Sequence, residues 1–490
     1  MAEKEDLIKP IEIVFLFILM VFTAIFRMQS THIPLDLSEG AFAYGATQMQ
    51  HGVVPYKDFF EHRPPIILYV YKTAFSLLGN SVESLRLFTT FYVIAAMLLI
   101  YIFARTVWRC ASTAMLAAFF YVCYQHSFIF QGLSANTAIY AQLPIVASLL
   151  FAADRDIKYA PVNFCVSGFF AAIALLTHLA AFFFIFVPAA YILFYTEKPR
   201  LKNLLWYLTG YAVVLAAVVC WALYNKNFND MYTGVVVYNL ALLKKGALGA
   251  MPLMPFNWMP VIFQANILPC IAIIYSAVML FFRKKDGVNF LIFAGAVSLC
   301  LGFLFSRSVN PHYYIVLVPA AAFLSAALSG DMCRLLSRDM EIRKYAWIIL
   351  AMFLVLNTAA LAKINRIGDF LRNNIYTEEI FYEERTMAQA VMSYGAGPAK
   401  KDNYIFAFPD MPGVYYYAGL KSASRYAYTY PLGYFTKDKQ KATDAMVQDR
   451  APWVIVQKDR YGDYMNFLND YYGKTAESKN LVLYRNLHFQ

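Results

Sequence analysis

The chain has 490 residues, of which 60% are hydrophobic and only 15% charged, with 42 Phe and 37 Tyr. That is more apolar surface than a soluble core can bury, which excludes an ordinary soluble globular protein and indicates a polytopic membrane protein. The formal net charge of +11 sits largely in short loops between apolar runs, so it requires no nucleic-acid partner.

The first apolar run, near 10–27, follows Lys4 and Lys9 and ends at Phe26-Arg27 without a small-residue cleavage site. It reads as a retained first span rather than a signal peptide.

After it comes an acidic loop, 28–83, holding Asp36, Glu39, Asp58, Glu61, His62 and Arg63. Ionisable groups held against a membrane cost free energy, and a cluster of them between two apolar helices suggests chemistry. Asp36 and Glu39 are three residues apart, as are Asp58 and Glu61, so helical or turn geometry would present each pair on one side. GAFAYGATQMQHG reads as a short helix ending at Gly52, and PPIILYVYKTAFSLLG as an amphipathic helix in the membrane interface. Pro64-Pro65 and the aromatic run Tyr56, Phe59, Phe60 indicate an ordered loop rather than one that merely solvates the outer face. A carboxylate there suits a general base on a sugar or lipid hydroxyl, with cations holding a phosphate leaving group.

Further stretches long enough to cross roughly 30 Å of hydrocarbon lie near 84–103, 112–130, 138–153, 161–177, 179–195, 204–223, 260–282, 288–305, 312–329 and 345–362, for about eleven spans in all. Arg105 and Arg109, Arg155 and Lys158, Lys198 to Lys202, Arg283 to Lys285, and Arg334 to Lys344 fall in alternate loops. The positive-inside rule makes those loops and the N-terminus cytoplasmic, and puts the acidic loop, the 224–259 loop and everything after Leu361 outside.

The segment after the last span mixes polar and apolar residues. NYIFAF (403–408), VYYYAG (414–419), WVIVQK (453–458) and NLVLYR (480–485) predict strands, while TEEIFYEERTMAQAVMSY and TKDKQKATDAMVQD predict helices. The expected organisation is a transmembrane module over 1–362 and a small α/β extracytoplasmic domain over 363–490, a lid or recognition element rather than a second enzyme. All seven Cys map to spans or cytoplasmic loops, so no disulfide framework is implied. All seven His map to the outer side or the outer end of a span.

Taken in order, L-D-x-x-E-G-x-F-A-Y at 35–44, G-x-x-P-Y-x-D at 52–58 and F-F-E-H-R-P-P-x-x-x-Y at 59–69 resemble the first outer loop of GT-C superfamily glycosyltransferases. The likeness continues through Arg86, G-L-S-A-N-T at 132–137, A-L-L-T-H at 174–178, N-P-H-Y-Y-I-V-L-V-P at 310–319 and S-R-Y-A-Y-T-Y-P-L at 424–432. By these motifs the chain resembles bacterial relatives of protein O-mannosyltransferases and of the aminoarabinose transferase of lipid A.

The resemblance implies a mostly α, GT-C-type membrane enzyme of a bacterial inner membrane. It would move a sugar, with inversion, from a polyprenyl-phosphate-linked donor to a lipid, glycan or protein acceptor on the outer face. It also implies a catalytic acidic residue in the first loop, commonly an Asp-Glu pair. Here that pair falls on Ser38-Glu39, so the usual Asp is replaced and Asp36 becomes the first choice for the base, with Glu39 second. Glu61 matches the second carboxylate, and His178 stands where relatives often carry Lys. Arg63, His178, Arg307 and His312 are the candidate phosphate-binding residues, with Lys244 and Lys245 as possible additions. Tyr56, Asp58 and His62 complete the first-loop candidates, and Asp36, Glu39, Asp58 and Glu61 have the hard oxygen donors a divalent metal would take. The alternatives are a lipid-linked glycan flippase, which would more naturally show internal repeats and mid-membrane charges, and an O-antigen polymerase or ligase, which would depend on outer-loop arginines.

Overall fold

A computed structural model of the chain describes residues 9–127, 131–153, 160–242, 267–282, 287–306, 315–336, 379–394, 404–428, 451–459, 468 and 470–488. These residues fall into two compact units.

The first unit comprises the described residues of Met1–Ser30, Arg86–Val219 and Gly246–Ile375. Its helices are α1 (Pro10–Met28), α4 (Val82–Trp108), α5 (Ala111–Gln125), α6 (Thr137–Ala153), α7 (Ala160–Thr177), a 3-10 turn (Leu179–Ile185) running into α8 (Phe186–Tyr195), α9 (Arg200–Tyr224), α11 (Ile267–Phe282), α12 (Gly287–Ser306) and α13 (Val318–Leu336). The first residues of α4 and the last of α9 belong to the second unit. Five segments among the described residues are long and apolar enough to cross a membrane: Pro10–His32, Val82–Trp108, Ala160–Thr177, Arg200–Tyr224 and Ile315–Met332. Shorter apolar helices cover other expected spans, while the span expected at 345–362 and the domain boundary expected at 362 lie outside the described residues.

The chain is therefore a multi-pass membrane protein built mainly of helices. Two buried charged groups in this unit take their partners from within it, as lipid favours. Arg27, 1% exposed, donates to the carbonyls of Gly132 at 2.6 Å and Leu133 at 3.2 Å. Glu12 is bonded by the Tyr101 hydroxyl and lies 3.4 Å from Arg105.

The second unit gathers three distant stretches, the described residues of Thr31–Leu85, Cys220–Lys245 and Tyr376–Gln490. The acidic loop supplies α2 (Leu37–Gln50) and α3 (Ile66–Leu78), and the middle stretch supplies α10 (Phe228–Tyr232) and a π-helical turn (Thr233–Tyr238). The C-terminal stretch supplies α14 (Glu379–Ser393), β1 (Tyr404–Phe408), α15 (Pro412–Ala418), β2 (Lys421–Ser422), β3 (Trp453–Gln457), β4 (Tyr472–Glu477) and β5 (Leu481–Asn486).

The strands form one sheet in the order β2-β1-β3-β5-β4, with β1 parallel to β2 and β3, and β5 antiparallel to β3 and β4. Alternation along the strands makes two faces. Ile405, Ala407, Trp453, Ile455, Leu481 and Leu483 share a core with α14, α15 and the α2 residues Ala41 and Tyr44, while Phe406, Val454, Val456, Val482 and Tyr484 fill the other face.

One expected strand is corrected: 414–419 is the helix α15. Pro412 occupies its first turn and Gly419, at φ 63°, ends it in the left-handed region, so helix start and stop signals override the strand preference of Val and Tyr. The expected strands near 403–408, 453–458 and 480–485 correspond to β1, β3 and β5, and the helix expected at 436–449 lies outside the described residues.

Gly40 of α2 lies so near α15 that a Cβ there would stand 2.7 Å from the Gly413 nitrogen. This approach seats the first turn of α2 against the C-terminal helices.

Candidate active site in the first loop

The α2 helix begins because Asp36 caps it. Its Oδ1 accepts from the Glu39 amide at 2.9 Å, and Glu39 Oε2 accepts from the Asp36 amide at 3.1 Å, a reciprocal capping box. Two of the helix's orphan amides are thus satisfied and negative charge stands at its positive end. Asp36 is half-buried, whereas Glu39 is 1% exposed.

The other pair does not share a turn. Asp58 is exposed and its Oδ2 accepts from the Val54 amide at 2.7 Å, while Glu61 is 2% exposed. The expectation that Asp58 and Glu61 face one side is therefore corrected: Asp58 ends a turn and residues 60–62 are not helical, so the two carboxylates reach different environments.

Glu61 Oε1 gathers donors from four directions. The His62 amide lies at 2.8 Å, the Arg63 amide at 3.1 Å, an Arg63 guanidinium nitrogen at 3.3 Å and the Tyr428 hydroxyl at 3.4 Å. The other arm of the same guanidinium donates to Ser38 Oγ at 2.9 Å, and its carbon lies 4.6 Å from the centre of the Phe42 ring. Arg63 is thus fixed by a carboxylate, a hydroxyl and an aromatic face at once. Ser38, which stands where the resemblance leads one to expect Asp, is held by Arg63.

His62 Nδ1 stands 2.9 Å from the Tyr428 hydroxyl. Burial, then the neighbouring Arg63, hold the imidazole's pKa well below its usual value, so the ring is neutral near pH 7. Burial and Glu61 push the Tyr428 hydroxyl well up, and it stays a donor. Tyr56, buried at φ 68°, donates to the Arg63 carbonyl at 2.7 Å.

The loop carrying Glu61 makes few backbone hydrogen bonds of its own, and distant side chains bond its carbonyls instead. Asn227 Nδ2 donates to the Pro55 carbonyl at 2.8 Å, Arg425 to that of Tyr56 at 2.7 Å and Asn239 Nδ2 to that of His62 at 2.7 Å. Phe60 donates its amide to the Arg425 carbonyl at 2.8 Å, and its ring packs with Tyr238 and Tyr426. Within the π-helical turn, Gly234 meets the loop so closely that a Cβ would lie 2.3 Å from the Glu61 carbonyl oxygen. Such turns often mark functional sites.

Sequence reasoning missed Asn227, Asn239, Arg425 and Tyr428 as partners of the loop. Arg425 and Tyr428 sit in the 424–432 motif, which was the available signal.

Of the remaining candidates, His178 belongs to the other unit, 4% exposed, with Nδ1 3.0 Å from Thr137 Oγ1. Arg307, His312, Lys244 and Lys245 lie outside the described residues. Among the described residues no three His, Cys, Asp or Glu side chains come together. Asp36 and Glu39 cap one helix, Asp58 closes its own turn and Glu61 Oε1 carries four donors, so the four carboxylates are not gathered at one point among the described residues.

Over residues 62–224 the chain matches the family described as dolichyl-phosphate-mannose-protein mannosyltransferase. No curated protein matches it in sequence. Among solved structures it is similar to ArnT from Cupriavidus metallidurans bound to undecaprenyl phosphate, with a TM-score of 0.66 at 13% identity over 97% of this chain and 98% of that one. It is also similar to the Archaeoglobus fulgidus oligosaccharyltransferase tethered to an acceptor peptide, with a TM-score of 0.55 at 12% identity over 98% of this chain and 74% of that one. At these identities the likeness is one of fold.

Proposed function

We propose that this chain, which has the GT-C fold of membrane glycosyltransferases, transfers a sugar from a polyprenyl-phosphate-linked donor to a lipid, glycan or protein acceptor, with inversion, on the outer face of a bacterial inner membrane. The observation that carries this reading is the Arg63 guanidinium, held between Glu61 and Ser38 beside the first turn of α2. It is a fixed cation in a loop whose carboxylates are otherwise ordered. ArnT was solved with undecaprenyl phosphate, and the archaeal oligosaccharyltransferase with dolichol phosphate. A lipid-phosphate donor is the corresponding substrate here.

In the proposed reaction Asp36 takes the proton of an acceptor hydroxyl. The acceptor oxygen bonds to the anomeric carbon as the anomeric bond to the phosphate oxygen breaks, and polyprenyl phosphate leaves with the electron pair, its charge met by Arg63. Two facts favour Asp36 as base. It is half-buried, whereas Glu39 and Glu61 are 1% and 2% exposed, and Glu61 is engaged in fixing Arg63. No observation favours the flippase or polymerase readings.

The test is transfer of radiolabelled sugar from a panel of polyprenyl-phosphate sugars in proteoliposomes. Asp36→Asn should cost about 10²–10⁴-fold in rate while leaving the helix cap nearly intact, because Asn caps as well as Asp. Glu39→Gln should cost far less, since its amide oxygen still accepts from Asp36. Collapse in Glu39→Gln with activity kept in Asp36→Asn would move the base, and no transfer by the wild type from any donor would sink the reading.

A further inference from the structure

The same unit holds a polar cleft that the proposed chemistry leaves unused. It has a volume of about 230 Å³ and is lined by Asn80, Ser81 and Glu83 at the start of α4, Arg385 of α14, and Tyr416 and Tyr417 of α15. Glu83 and Arg385 bring opposite charges to one cleft without pairing, and among the described residues neither side chain makes a hydrogen bond or an ion pair. Two such groups left apart can hydrogen-bond a guest that both donates and accepts.

The aromatic wall is fixed. Tyr416 stacks on Phe75 with ring centres 5.7 Å apart and planes 14° from parallel, and Tyr417 meets it at 5.4 Å and 63°. Burial, then Tyr417 and Glu83, push the Tyr416 hydroxyl up, so it remains protonated.

The lining selects a class of guest. A phosphate would meet the Glu83 carboxylate, and an acyl chain would leave a carboxylate, a guanidinium and an amide without partners. A sugar ring satisfies all of them: its hydroxyls both donate and accept, and its C–H face packs on an aromatic ring. The cleft is also tied to the candidate base, for the Tyr417 hydroxyl accepts from the amide of Leu35, the residue before Asp36, at 2.8 Å.

We propose that this cleft is a carbohydrate subsite holding a sugar ring of the acceptor, with Glu83 accepting from and Arg385 donating to its hydroxyls, and Tyr416 and Tyr417 forming the wall. The acceptor assignment rests on the glycosyltransfer reading, whereas the carbohydrate assignment rests on the cleft alone.

The experiment uses the full chain in nanodiscs and diazirine-bearing methyl glycosides of glucose, mannose, galactose and N-acetylglucosamine. Labelled peptides are mapped by mass spectrometry, and binding of polyprenyl phosphate is measured on the same preparation. The expected result is label on the 80–83, 379–393 or 412–418 peptides, competed by the parent glycoside. It should fall about tenfold or more in Glu83→Gln and in Arg385→Gln, the loss expected of a hydrogen bond to a charged group. No label, label elsewhere, or labelling unchanged in both variants overturns the subsite. Label in the cleft without polyprenyl-phosphate binding keeps the subsite and removes the glycosyltransfer reading.

Discussion

Asp36 with Glu39 and Asp58 with Glu61 are separated by the same three residues, yet the first pair shares one helical turn and the second is split between solvent and interior. Spacing specifies a face only when the backbone is periodic. At Asp36 the following residues propagate a helix, so the two carboxylates satisfy each other's amides. Between Asp58 and Glu61 the backbone is not helical, and Glu61 is held by its neighbours His62 and Arg63 together with Tyr428, 367 residues away. One pair is a local structure and the other a tertiary one, and their substitutions should differ accordingly.

The largest effect on stability is expected at Glu61. Glu61→Ala leaves Arg63 and two backbone amides without their acceptor and should cost about 3 kcal/mol, as breaking an ion pair with one buried member does. The readout is thermal unfolding of the purified protein together with polyprenyl-phosphate binding, which should weaken in parallel. A variant as stable as the wild type but inactive would make Glu61 a reacting group instead of Arg63's support.

A third carboxyl sharpens the account of Asp36. Glu384 of α14 is 2% exposed, and burial, then Asp36 and Asp410, push it well above the ordinary 4.5, against the opposing pull of the Gly413 and Val414 amides. The native state therefore keeps a proton that the unfolded chain releases above pH 4.5, so this group's contribution to stability falls as pH rises toward the folded pKa. Glu384→Gln removes that slope. Its melting temperature relative to the wild type should be higher at pH 8 than at pH 5, and parallel curves would show that Glu384 is ionised in the fold. The smallest effect is expected at Asp58. Asp58→Asn should stay within about 0.5 kcal/mol, as exposed positions do, and a loss of transfer activity there would return Asp58 to the site.

Much of the helical framework was legible because apolar length is a strong signal, and α2 and α3 followed from Gly52, Pro65 and the residues between. The resemblance in 35–69 also pointed to the loop that carries Arg63. The environment of Glu61 was not legible, since Tyr428 reaches Glu61 while Tyr238 and Asn239 hold its neighbours Phe60 and His62, joining three stretches whose proximity no local pattern encodes. β4 was hidden because YGKTAE at the sheet's edge is half-exposed and polar, without the apolar alternation that marked β1 and β3. VYYYAG misled because its residue types favour a strand, while Pro412 and Gly419 at its ends define a helix. Ser38 was read as the loss of an acid, and only its bond from Arg63 gives it a place in the network.

The carbonyls bonded by Asn227, Arg425 and Asn239 carry a consequence for engineering and for descent. The loop's shape is inherited from two other stretches of the chain, so residues 28–83 transplanted alone into another scaffold would carry the motif without its form. Changes at Asn227, Asn239 or Arg425 would meanwhile reach the loop around Glu61 without altering a single acidic residue.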